Sequence, residues 1–108
     1  MKIKIKPLSA NQAFKGRRFK TPLYKAYEEE LMWLLPKMEI PQGRLSVFYE
    51  FGLSSKNADG DNCIKQFQDI LAKKYGFNDK DIFEWIVVKE IVKKGQEYIS
   101  FNIFKYEK

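Results

Sequence analysis

Leu45-Ser46-Val47-Phe48-Tyr49-Glu50-Phe51 runs through the polar stretch Ser54-Ser55-Lys56-Asn57-Ala58 into Asp59-Gly60-Asp61-Asn62-Cys63-Ile64-Lys65. The first part is rich in β-forming residues and reads as a largely buried strand. The polar stretch reads as a loop, and the acidic motif after it opens a helix. In that helix Ile64, Phe67, Ile70, Leu71 and Tyr75 recur at helical spacing, and Lys73-Lys74 before Gly76 forms a charge and stop signal. Downstream, Ile82 to Lys93 and Glu97 to Lys105 are two β-rich segments around Lys94-Gly95-Gln96, read most simply as a hairpin. Upstream, Thr21 caps a helix whose first residue is Pro22, with Leu23, Tyr27, Leu31, Leu34 and Leu35 as its apolar stripe up to Pro36. Lys2-Ile3-Lys4-Ile5-Lys6 alternates as a strand stopped by Pro7, and Pro7 to Lys20 shows no hydrophobic period and reads as an exposed basic loop. The order β-α-β-α-β-β predicts an α+β fold, one compact domain with a mixed β-sheet of about four strands and two main helices.

Bulk composition narrows the chemistry. With 108 residues, 44% hydrophobic and 16% aromatic, the chain suits a single core. Cys63 is the one cysteine, which excludes an internal disulfide or a multi-thiolate zinc site and leaves a cytoplasmic setting as the expectation. The longest apolar run, Leu31-Met32-Trp33-Leu34-Leu35, is too short to span a bilayer, and the start lacks the apolar core of a signal peptide, so no membrane role is expected. There is no histidine, which removes the serine-histidine-aspartate triad, histidine-ligated zinc and nucleases with a histidine base. Any catalysis therefore runs on carboxylates, lysine and metal.

The net charge of +6 is unevenly spread. Residues 1 to 27 hold eight Lys or Arg and no acid, leaving twelve bases against fourteen acids beyond them. This asymmetry points to an anionic partner, nucleic acid first. In Lys15-Gly16-Arg17-Arg18-Phe19-Lys20, bases and an aromatic crowd beside a glycine, as in a clamp on a phosphate backbone; Lys15, Arg17, Arg18 and Lys20 are the candidate DNA-binding residues.

Asp59 and Asp61 are two apart, so in an extended loop both project to one side and repel unless a cation sits between them. Lys65, four residues past Asp61, can reach back over the same spot. Hard oxygen donors without nitrogen or sulfur favour magnesium or manganese. Two plainer readings compete. One aspartate could cap the helix. Asn57, Asp59 and Asp61 could open a calcium loop of the EF-hand kind, but its sixth position holds Asn62 and its twelfth Gln68, where glycine and glutamate belong. Glu28, Glu29 and Glu30 are adjacent on a helix, point about 100° apart and read as a solvated face.

Asp59-x-Asp61-Asn62-x-x-Lys65, followed by Asp69 and Leu71, then Gly76 and Asp79 before a hydrophobic strand, resembles the RusA family of Holliday junction resolvases of bacteria and phages. The opening Ile5-Lys6-Pro7-Leu8-Ser9-Ala10-Asn11 is similar to that family's proline-serine-asparagine start, and the resemblance covers most of residues 1–108, with its core in residues 57 to 92. It implies a homodimeric, Mg²⁺-dependent endonuclease, with Mn²⁺ as a possible substitute, cutting two strands symmetrically at a four-way DNA junction. It carries the catalytic and metal-binding carboxylates onto Asp59, Asp61 and Asp79, the essential lysine onto Lys65, and a structural acid onto Asp69. The family has two adjacent acids at the last position; here Asn78-Asp79-Lys80-Asp81 stands there, which leaves Asp81 as a rival to Asp79. A nuclease for other branched DNA shares every one of these residues, and a non-catalytic nucleic-acid-binding protein would need only the N-terminal charge.

Overall fold

The computed structural model describes residues 1–16 and 19–107. The chain runs β1 (Lys2–Ile3), α1 (Ala10–Ala13), β2 (Phe14–Lys15), β3 (Phe19–Lys20), α2 (Pro22–Leu34), β4 (Leu45–Leu53), α3 (Ile64–Tyr75), β5 (Ile82–Ile91) and β6 (Tyr98–Lys105), with 3-10 turns at Gly60–Cys63 and Asp79–Asp81. β1, β6, β4 and β5 form, in that order, a four-stranded sheet, and β2 pairs with β3 in a separate ribbon. β4 is parallel to β5 and antiparallel to β6, so the sheet is mixed and the fold is α+β with two main helices. Among the described residues no helix is long and apolar enough to cross a membrane.

The sheet is built around β4. Leu45, Val47, Tyr49, Phe51 and Leu53 alternate onto one face and are all buried, and both edges of the strand are hydrogen-bonded to neighbours. α3 drives Phe67 into this face, where its ring meets Tyr49, Phe51 and Phe101 edge-on at centroid distances of 5.4, 6.1 and 5.7 Å. α3 stops at Gly76, which at φ +74° adopts the left-handed conformation and donates its N–H to the Ala72 carbonyl at 2.8 Å. α2 and α3 are tied at the surface by Lys73 to Glu28 at 2.7 Å and by the Tyr75 hydroxyl to the Pro36 carbonyl at 2.7 Å.

Four local expectations are corrected. β5 and β6 are not a hairpin: β4 lies between them, and the Lys94-Gly95-Gln96 connection carries the chain across the end of β4. β4, buried along nearly its whole length, takes the interior position, and β5, exposed along most of its length although seven of its ten residues are apolar, becomes the edge. Only Lys2 and Ile3 of the first alternating run join the ladder, because the Ile5 N–H turns back to the Ile3 carbonyl at 3.0 Å. The Pro7 to Lys20 stretch is not one loop; it contains α1, held by a capping box between Ser9 and Gln12, and the β2–β3 ribbon, with Arg17 and Arg18 lying outside the described residues. On α2 the buried stripe is Tyr24, Tyr27 and Leu31, continued by Leu35, while Leu23 and Leu34 stay 56% and 43% exposed. Tyr24 takes the inner place because its ring packs on Phe14, 5.4 Å away.

The sheet's second face carries one close approach. The Tyr98 ring lies over Gly52, where an added Cβ would meet ring carbons at 2.3 and 2.4 Å. The ring cannot swing aside freely, since its hydroxyl donates to Glu50 and the Lys2 ammonium sits 4.1 Å above it. Gly52→Ala is therefore expected to destabilise the chain by about 1–3 kcal/mol, the usual cost of overpacking. Urea unfolding would check this, and an unchanged midpoint would mean the ring relocates at no cost.

Candidate active site

At the carboxyl end of β4 the chain enters the polar loop, and short bonds fix its path. The Ala58 N–H donates to the Ser55 carbonyl at 3.1 Å, and the Asn57 N–H to Ser55 Oγ at 3.3 Å. From β5, Lys89 Nζ donates to the carbonyls of Lys56 and Ala58 at 3.2 and 2.9 Å, pinning the loop to the sheet edge just ahead of Asp59. Asp59 then opens the 3-10 turn, its carbonyl accepting from the Asn62 N–H at 3.2 Å. The fully buried Gln66 of α3 donates from Nε2 to the Asn62 carbonyl at 2.5 Å and also to the Leu8 carbonyl. One amide thus clamps the N-terminal segment to the acidic turn.

Asp59 and Asp61 are both exposed on this turn, and neither acts as the helix cap that the plainer reading requires. Asp59 makes no capping bond with its side chain, and the cap position of α3 belongs to Cys63. Lys65 is exposed in the first turn of α3, and its Nζ lies 3.5 Å from Asp69 Oδ2. The resemblance made Asp69 a structural acid, whereas this contact puts its carboxylate beside the candidate lysine. Asp79 stands elsewhere: it lies beyond the far end of α3, a helix of 12 residues, and joins no acidic group with Asp59 and Asp61 among the described residues. Its charge and that of Asp69 act on the Tyr49 hydroxyl, whose pKa is raised first by burial and then by these two acids. Asp81 lines a different hollow, with Met38, Ile40, Tyr75 and Phe77. Among the described residues no group of three or more His, Cys, Asp or Glu comes together as a metal cage.

The basic side of the site is the β2–β3 ribbon. Lys15 is exposed, whereas Lys20 is partly engaged, 4.0 Å from Glu28 and 4.9 Å from the Tyr24 ring centre. Between the ribbon and Lys65 lies a cleft of about 480 Å³ lined by Ala10, Asn11, Phe14 and Gly16. A second cleft, of about 450 Å³, opens beside Asp59, and Asn11 lines both. The N-terminal segment therefore walls the site. That role of Ser9, Asn11 and Gln12 is invisible in a reading that makes them loop, although the Ser9-x-x-Gln12 capping spacing was a signal for the helix that places them.

No protein-family model matches the chain, and no curated protein matches it. Cys63, next to the acidic turn, is buried, and its thiol is pushed up to about 11, first by burial and then by the charge of Asp61. Since only the thiolate reacts, roughly one thiol in a thousand would be ionised at pH 8. Cys63 is expected to resist a thiol-specific disulfide reagent at pH 8 in the native protein and to react at once in denaturant. Fast native labelling would show that the turn opens.

Proposed function

We propose that the chain is a Mg²⁺-dependent endodeoxyribonuclease of the RusA kind, acting as a homodimer in the cytoplasm of a bacterial cell to resolve four-way DNA junctions by paired, symmetric phosphodiester hydrolysis. One observation carries the reading: Asp59 and Asp61 stand exposed on one turn, uncommitted to helix capping, with Lys65 one turn on and the basic ribbon across a cleft from it. Two carboxylates fit the cation, because Mg²⁺ is commonly held by one or two carboxylates together with substrate phosphates and does not need a protein cage. Mn²⁺ suits the same donors. When bound, the metal lowers the pKa of a coordinated water and neutralises charge on the phosphate.

The chain's own groups then have distinct tasks. Asp59 and Asp61 hold the cation at the carboxyl end of β4. The Lys65 ammonium faces the charge that grows on the phosphate and stabilises it, with Asp69 holding the side chain at the rim. Asp79, beyond the far end of α3, stands apart from this pair and is left out of the proposed ligand set. Lys15 and Lys20, with Arg17 and Arg18, grip the backbone of the arm that enters the cleft. A second reading, a nucleic-acid-binding module without cleavage, is favoured by the separation of Asp79 from Asp61.

Cleavage of a synthetic mobile four-way junction, compared with a linear duplex of the same sequence, separates the readings. Paired nicks in the junction alone, present with Mg²⁺ and absent with EDTA, are expected. Asp61→Asn and Lys65→Met should each lower cleavage at least a hundredfold, the loss typical for removing a transition-state donor, while junction binding survives. Binding without cleavage in Mg²⁺ or Mn²⁺ would establish the second reading.

The two lysines of the ribbon are expected to behave differently. Lys15→Ala should reduce the slope of log affinity against log salt by about 0.9 on duplex DNA, one phosphate contact. Lys20→Ala should reduce it less, because Glu28 already takes part of that charge. Equal slopes for wild type and Lys15→Ala would return the ribbon to plain solvated surface.

A further inference from the structure

The two clefts that share Asn11 differ in chemistry. The one between Lys65 and the ribbon has a cation on its wall and suits a phosphate. The one beside Asp59 does not: among the described residues Lys6 is its only base, set against the carboxylates of Asp59 and Glu97. Hydrogen bonds from backbone N–H groups, its own and that of Gly95, hold the Glu97 carboxyl below the usual range, so it meets any ligand as an anion. Its lining is otherwise neutral and amide-rich, with Asn11 coming from α1 and Asn57 and Asn62 from the stretch between β4 and α3. Asn57 is held through its backbone N–H and Asn62 through its backbone carbonyl and N–H; among the described residues none of the three side-chain amides makes a hydrogen bond. Pro7 and Leu53, both buried, supply apolar surface behind them.

Carboxamides that offer paired donor and acceptor groups are the side chains that read the edge of a base, and a carboxylate accepts from an exocyclic amine. A cleft of about 450 Å³ also has room for one base with its sugar, within the range of ordinary ligand sites. We propose that this cleft receives the unstacked base of a nucleotide flanking the cut, and that Asn11, Asn57 and Asn62 read its edge. The proposal rests on the nuclease reading. It assigns the site a division of labour in which Lys65 and the ribbon take the backbone while the amide cleft takes the base. Unstacking a base in an intact duplex costs a few kcal/mol, and less where pairing is already broken. The cleft would thereby favour DNA whose bases are unpaired at the branch.

The test places 2-aminopurine, which brightens when it leaves the stack, at each nucleotide flanking the mapped cut in a four-way junction. The wild-type chain is bound in Ca²⁺ so that the strand stays whole. A several-fold rise in fluorescence is expected at one position. Asn57→Ala and Asn62→Ala should abolish the rise there and flatten the base preference of cutting in Mg²⁺, with an unchanged circular dichroism spectrum. Wild-type chain that cuts the junction with no rise at any flanking nucleotide, or a rise and base preference that survive both substitutions, overturns the cleft proposal and leaves the nuclease reading standing. A chain that cuts no junction overturns both.

Discussion

Everything in this fold depends on β4 being paired along both edges while its inner face is sealed by α3. A strand bonded on both sides has no free edge, so its neighbours are fixed in register: Tyr49 faces Val87 on one side and Phe101 on the other. That register sets where the strand ends, and the end of the strand is where the polar loop and acidic turn begin. The Lys89 ammonium, which ties the loop to β5, works only because β5 lies parallel and in step with β4. The site is thus an extension of the sheet.

The acidic turn depends equally on Gln66. A fully buried amide is costly unless bonded; here its N–H₂ group bridges Leu8 and Asn62, two segments far apart in sequence, while its Oε1 has no partner among the described residues. A hydrophobic residue at this position would fill the space but lose both bonds, the one to Leu8 being fully buried. The polar choice therefore fixes the distance between the N-terminal wall and the turn that bears Asp59 and Asp61.

Elements governed by local physics were legible in the sequence. Thr21-Pro22 starts α2, Gly76 ends α3, and the apolar content of Leu45–Leu53 gives a buried strand, each from residues that act within a turn or two. The strand order was not legible, because Lys94-Gly95-Gln96 reports only that the chain bends; which strand inserts between the two arms is set by pairing with residues 45–53, far upstream of both. α1 and the ribbon escaped for a different reason, since elements of two to four residues are too short to display a period. In the candidate site, Asp59, Asp61 and Lys65 were legible as neighbours because they lie within one short stretch. The place of Asp79 depends on the direction and length of α3, and the walling role of Asn11 on the bond from Gln66 to Leu8; neither is encoded near the residue concerned.

The position of β4 also has a consequence for synthesis. Its two partners are made late, residues 82–91 first and 98–105 afterwards, so a chain emerging from the ribosome carries its central strand for some fifty residues before the second edge is closed. Pairings across such sequence separations form slowly, because the intervening chain must first be ordered. In that interval α2, made earlier, and α3, which follows β4 directly, are the apolar helices available to cover it. Residues 22–75, with both main helices and β4, therefore already hold the means to cover that strand before the sheet is complete.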